Sequence, residues 1–192
     1  MTQPYRLPGR GSLPAVFALI VTVATVLLLP GAARAQELYT FTAGLLGGVG
    51  GSLDADPGDD LGNSGFQINL TTVTEPRTHV GIRLGRLGLD SEEFFGSLSE
   101  AELSYVTLAG EYRFPESVYE SGLYIGLGGY RLEGSRRGRD EEDTALGLAV
   151  GVTGEFRVTH WLGVLLELSG HYADFEEAQF FAMGHGGIAV HF

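Results

Sequence analysis

The chain has 192 residues, 30 of them Gly, with 44% hydrophobic, 10% aromatic and 19% charged residues and no Cys. Its twelve basic residues are all Arg, and against 24 acids they leave a net charge of −12, which repels polyanions and argues against a nucleic-acid reader. Without Cys there is no disulfide framework, thiolate zinc site or thiol nucleophile, and the even spread of apolar residues argues against disorder.

The N-terminus carries the first signal. Arg6 and Arg10 precede an apolar run from Ala15 to Leu29, followed by the helix breaker Pro30 and the small-residue frame Ala33-Arg34-Ala35. This predicts a secretory signal peptide over residues 1–35, cut after Ala35. The run is shorter than the roughly 20 residues of a spanning helix. Cleavage removes Arg6, Arg10 and Arg34 and no acid, so the remaining domain, residues 36–192, has 9 basic and 24 acidic residues and a net charge of −15.

From there the dominant period is two. Eight segments alternate apolar with small or polar residues: Leu38 to Leu46, Gly65 to Val73, His79 to Leu87, Leu103 to Phe114, Gly122 to Leu132, Ala145 to Arg157, Trp161 to Tyr172 and Phe180 to Phe192. Each is long enough for a tilted strand through a bilayer, which takes roughly 9–11 residues. Short links follow the second, fourth and sixth, around Glu75-Pro76-Arg77, Pro115-Glu116-Ser117 and Val158-Thr159-His160. Longer connections, Gly50 to Ser64, Gly88 to Glu102, Glu133 to Thr144 and Ala173 to Gln179, hold seventeen of the 24 acids. Short turns at one rim and long loops at the other, on an even number of strands, predict an all-β, eight-stranded antiparallel up-and-down transmembrane β-barrel.

Parity assigns the faces. Leu162, Val164, Leu166, Leu168 and Tyr172 form one row, and Phe180, Ala182, Gly184, Gly186, Ile188, Val190 and Phe192 another, both expected to face lipid. Leu146, Leu148, Val150, Val152 and Phe156, then Leu123, Ile125 and Leu127, then Val106, Leu108, Tyr112 and Phe114 continue the apolar surface. Aromatics gather at the strand ends: Tyr39, Phe41, Tyr112, Phe114, Phe156, Trp161 and Phe192 toward the short turns, and Phe66, Tyr172 and Phe180 toward the long loops. That is the pair of girdles a membrane interface selects.

The last strand alternates apolar residues and closes on Ile188, Val190 and Phe192. Here the sequence resembles the outer-membrane β-barrel families of Gram-negative bacteria, over Gln36 to Phe192, and within them the small eight-stranded OmpA/OmpX-type barrels. The resemblance implies membrane topology and recognition of Ile188, Val190 and Phe192 by the barrel-assembly machinery. It implies no activity.

Inward parity collects Gln67, Asn69, Arg83, Glu111, Arg113, Glu155, Arg157, Glu167 and His185. An eight-stranded barrel is just wide enough to be filled by side chains, and charges enclosed there must be paired, so these residues predict a polar network that plugs the lumen. A narrow gated pore or proton relay is the functional alternative. Hairpin register is expected to set Arg83 opposite Glu111 and Glu167 opposite His185.

Other constellations are weaker. His185 and His191 share a face but lie six residues apart, about 20 Å along a strand, so no metal site is expected. Ser169 and His171, with Glu176 or Glu177 as orienting acid, give a serine-hydrolase pattern. It resembles the lipid A deacylases of the outer membrane, although the order here is Ser then His and both side chains have inward parity. Gly44, Gly47, Gly48, Gly50 and Gly51 lack dinucleotide spacing and a following helix. Asp54, Asp56, Asp59 and Asp60 depart from an EF-hand loop and read as a solvated acidic run.

The expectation is thus a monomeric outer-membrane barrel with a structural or surface-interaction role, no enzymatic activity, no cofactor and no nucleic-acid partner. Its partners would be outer-membrane lipid and lipopolysaccharide, reached through divalent cations on the acidic loops or through Arg86, Arg136, Arg137 and Arg139 on phosphate. A lipid-modifying enzyme and a soluble lipocalin-like barrel are the competitors; the outward aliphatic rows argue against the latter.

Overall fold

A computed structural model describes residues 41–53, 63–89, 98–115, 119–136, 139–175 and 179–192. The signal peptide, Leu38 and Tyr39, the Asp54 to Asp60 run, Arg137, Glu176 and Glu177 lie outside them. Eight strands follow in order: β1 (Phe41–Ser52), β2 (Asn63–Glu75), β3 (Thr78–Leu89), β4 (Leu98–Pro115), β5 (Tyr119–Arg136), β6 (Arg139–Arg157), β7 (Leu162–Ala173) and β8 (Phe180–His191). Every strand pairs antiparallel with its sequence neighbours, and β1 pairs with β8, so the sheet is a closed barrel without an open seam. Closure gives the central backbone groups partners on both sides, which a chain without access to water requires.

Side-chain alternation places the apolar row outside. Leu123, Ile125 and Leu127 on β5, Leu146 to Val152 in alternation on β6, and Val164, Leu166 and Leu168 on β7 are all exposed, while the residues between them are largely buried. The exposed aromatics Tyr112, Phe114, Phe156, Trp161 and Phe192 ring the short-turn rim, and Phe66 and Phe180 stand near the other. This is the inverse of a soluble barrel, where large exposed aliphatics are scattered and not banded. Among the described residues no helix is long and apolar enough to cross a membrane.

β4 begins at Leu98, inside the expected Gly88 to Glu102 connection, and two further strand assignments depart from the sequence reading. First, β1 runs on through Gly47 to Ser52, past Leu46, where the sequence reading ends the first strand, and into the expected Gly50 to Ser64 connection. Second, Glu133 to Thr144 is not a loop: β5 and β6, of 18 and 19 residues, continue as a hairpin whose last pair is Arg136 with Arg139. Charged and small residues fill both parities of this segment, so the period-two signal vanishes.

Glycine is required at inward positions that face a tyrosine ring on the neighbouring strand, among them Gly85 beside Tyr105 and Gly151 beside Tyr124. A Cβ on Gly151 would lie 2.5 Å from Cε1 of Tyr124, its register partner on β5. The ring covers the bare backbone of the neighbouring strand, which lets a large side chain lie flat across a narrow lumen.

Candidate functional site

The lumen is the site, and it has two zones. Toward the long-loop rim lies an apolar core of Leu87, Leu89, Ala101, Leu103, Tyr105, Tyr130, Leu132, Ala173, Phe175, Phe181 and Met183. Toward the short turns lies a polar network to which all the strands contribute inward side chains.

Glu167 on β7 is the network's hub and is 1% exposed. Its carboxylate accepts from Gln67 Nε2 at 2.9 Å, Asn69 Nδ2 at 3.1 Å, Tyr124 Oη at 2.7 Å and Arg83 Nε at 3.4 Å. Arg83, also 1% exposed, donates through Nη2 to Glu111 Oε2 at 3.0 Å and stacks its guanidinium 3.6 Å from the centre of the Tyr124 ring. Glu111 accepts in turn from Arg113 Nε at 2.9 Å and from Thr153 Oγ1 at 2.8 Å. Arg113 bridges onward to Glu155 at 3.2 Å, and Glu155 contacts His191 Nε2 at 2.5 Å. His191 Nδ1 lies 3.0 Å from Thr42 Oγ1, which carries the chain of contacts back to β1. Arg83, Glu111, Arg113, Glu155 and Glu167 thus each have an opposite charge within contact distance, as the cost of burying ions demands.

The sequence-derived network residues fall as follows. Arg83, Glu111, Arg113, Glu155 and Glu167 are connected to one another through these contacts. Arg157 stands at the rim, where its Nη2 meets Glu120 at 2.7 Å while its Nε has no hydrogen-bond partner. His185 is opposite Glu167 in register, yet its Nδ1 has no hydrogen-bond partner. The register expected for Arg83 is corrected: Arg83 pairs with Thr107, and Glu111 with His79. The two charges still meet because strands in a barrel are tilted and staggered, so residues at one height in the lumen are not hydrogen-bond partners, and an Arg reaches the difference.

Sequence reasoning missed three things. The apolar zone was signalled by Leu87, Leu103, Leu132 and Phe181, all of inward parity. Tyr105, Tyr124, Thr153, His191 and Thr42 belong to the network, with Tyr105 Oη donating to Gln67 Oε1 at 2.5 Å. Glu120 joins Arg113 and Arg157 at the short-turn rim.

Ser169 and His171 are in contact, with Oγ 3.0 Å from Nε2. The other imidazole nitrogen faces Tyr130 Oη at 2.9 Å, so a phenol holds the position a carboxylate takes in a hydrolytic triad. Both residues are buried inside the barrel beside the apolar zone. Among the described residues no group of three or more His, Asp or Glu is placed to hold a metal ion.

No protein-family model matches the chain, and no curated protein does. Solved structures do match. Neisserial surface protein A is 16% identical with a TM-score of 0.61, covering 79% of this chain and 96% of that one. A major outer membrane protein of Thermus thermophilus is 12% identical with a TM-score of 0.58, covering 79% and 98%. Ail, the attachment invasion locus protein of Yersinia pestis, is 15% identical with a TM-score of 0.53, covering 79% and 96%. At such identities the likeness speaks for architecture, and together with the closed sheet and the outward apolar band it gives this chain the fold of the small eight-stranded outer-membrane β-barrels.

Proposed function

We propose that the protein is exported through cleavage after Ala35, that residues 36–192 insert in the outer membrane as a monomer, and that its role is structural or one of surface interaction. The observation that carries this reading is the inverted polarity of the barrel: an apolar, aromatic-rimmed outside around an inside whose charges and aromatics are buried. A filled lumen leaves the surface beyond the long-loop rim as the place where another molecule is met. Ile188, Val190 and Phe192 are the signal by which the barrel-assembly machinery takes up the last strand.

Charge narrows the partner. The Ail protein has been seen in complex with a heparin analogue, sucrose octasulfate. In the present chain the four long connections hold seventeen acids, so a sulfated polyanion is repelled and a basic surface, or lipopolysaccharide phosphate bridged by divalent cations, is favoured. Arg86 is already paired with Glu102, and direct contact with phosphate falls to the Arg136, Arg137 and Arg139 cluster, whose side chains lie outside the described residues.

Membrane fractionation with a heat-modifiability gel tests the reading. Partition with the outer membrane, and a band that shifts on boiling, are expected, with a mature N-terminus at Gln36. A soluble, heat-insensitive protein overturns it. The Ser169–His171 contact favours a second reading, lipid A deacylation, and the same cells decide it: Ser169→Ala is expected to leave lipid A acylation unchanged, and an altered acylation pattern would establish the enzyme.

A further inference from the structure

The outer surface is not uniformly convex. A groove of about 230 Å³ crosses it toward the short-turn rim, lined by Phe41, Leu70, Val80, Ile82, Leu108 and Phe192, with Thr72 nearly covered between them. Its existence follows from side-chain size. Thr72 is in register with Phe41 on one side and Val80 on the other, so a short side chain sits between larger outward ones. Next to Val80 in register is Gly110, where an added Cβ would meet nothing within 4 Å, so the surface of β4 next to the groove, beyond Leu108, stays open. Phe41 and Phe192 stack at 6.1 Å and wall the other side.

The open end leads to charge. Arg77, in the turn between β2 and β3, is exposed and donates through Nη1 to Tyr112 Oη at 3.4 Å, which holds the guanidinium beside β4 at the short-turn end. Arg77 precedes Val80 by three residues, about 10 Å along a strand. Glu75, two residues earlier at the end of β2, is exposed as well. The groove is smaller than the roughly 300–1,000 Å³ pockets that enclose compact ligands and its lining side chains are mostly apolar, while Arg77 and Glu75, one cation and one anion, stand outside that lining toward the short turn. A hydrocarbon chain ending in a phosphate and an ammonium matches the apolar lining and the pair of charges beyond it.

We propose that this groove is a specific site for one glycerophospholipid with a phosphoethanolamine headgroup. One acyl chain lies across Thr72 between Phe192 and Leu108, the phosphate pairs with Arg77, and the ammonium meets Glu75. The proposal rests on the reading that the barrel spans a bilayer with its short turns at one surface. It goes beyond it by assigning a lipid class and residues.

Native mass spectrometry of the full chain folded in non-ionic detergent tests it, after incubation with equal amounts of palmitoyl-oleoyl phosphatidylethanolamine, phosphatidylglycerol and phosphatidylcholine. The wild type is expected to retain one phosphatidylethanolamine, preferred over each of the others by about fivefold, the scale of a single exposed ionic contact. Gly110→Leu fills open space, so it keeps the heat-shifted band and loses the lipid. Arg77→Gln reduces retention of all three lipids, Glu75→Gln abolishes the preference over phosphatidylglycerol, and Val150→Phe, outward on the far side of the barrel, changes neither. No retained lipid, equal retention by Gly110→Leu, or a dimer in place of the lipid adduct overturns the proposal while the heat shift leaves the barrel reading standing. A wild type with no heat-shifted band overturns both.

Discussion

The two ends of the lumen are closed by different physics. Near the long loops, Leu87, Leu103, Tyr130, Phe181 and Met183 pack as the inside of a soluble protein does, by volume and without preferred direction. Near the short turns, Glu111, Arg113, Glu155 and His191 close the same cross-section through directional contacts, each of which leaves a charge stranded if its partner goes. The difference teaches that the ends depend on each other. An apolar plug keeps water from one side of Arg83 and Glu167, which raises the worth of their contact and also the cost of breaking it.

The largest effect is therefore expected at the boundary between the zones. Glu167→Ala removes the acceptor of Gln67, Asn69, Tyr124 and Arg83 at once and leaves Arg83 with Glu111 as its remaining ion-pair partner. Breaking a buried pair from one side costs about 3–5 kcal/mol, and urea unfolding from lipid vesicles should show a loss of that size. A double-mutant cycle on Arg83 and Glu111 should give a coupling of at least about 1 kcal/mol. Coupling indistinguishable from zero would mean that the network is wet and the contrast between the two ends false.

The next effect sharpens the contrast through tolerance. In the apolar zone Leu103→Ala should cost about 2–4 kcal/mol for the lost burial and the cavity, whereas Leu103→Met, which keeps the volume, should cost less than about 1.5 kcal/mol. In the polar zone the volume-conserving Glu111→Gln should not be tolerated in the same way, because Arg83 and Arg113 both donate to that carboxylate. If Glu111→Gln proves as mild as Leu103→Met in urea unfolding, the short-turn end is held by packing and not by charge.

How much of this is legible in the sequence follows from what period two can encode. It separates inside from outside wherever the two faces meet different media, and so the eight strands, the outward rows on β4 to β8 and the inward charges are all readable. It carries no information on height within the lumen. That is set by strand tilt and stagger, and for this reason Arg83 falls opposite Thr107 in register while still reaching Glu111. It also fails where charged and small residues fill both parities, as in the hairpin from Glu133 to Asp143. The Tyr124 contact with Glu167 depends on Gly151 being bare beneath the ring, a pairing of two strands that neither strand's own pattern records.

The smallest effect is expected in that hairpin, and it completes the comparison because the same residue types occur there without burial. Arg131 on β5 contacts Glu133 and also Glu142 on β6, the latter at 2.9 Å, but all three side chains are substantially exposed. Water already solvates each charge, and ordering two long side chains costs entropy that offsets most of the Coulomb gain, so Glu142→Ala should change stability by about 0–1 kcal/mol. Salt distinguishes the two settings further. With a screening length of about 10 Å at 0.1 M and about 3 Å at 1 M, the exposed pair should lose its remaining coupling in urea unfolding at the higher concentration. The Arg83–Glu111 coupling should persist there, because the apolar zone above it and the closed sheet around it keep mobile ions out. Equal salt sensitivity of the two couplings would show that ions enter the lumen, and the narrow pore would then replace the plugged barrel.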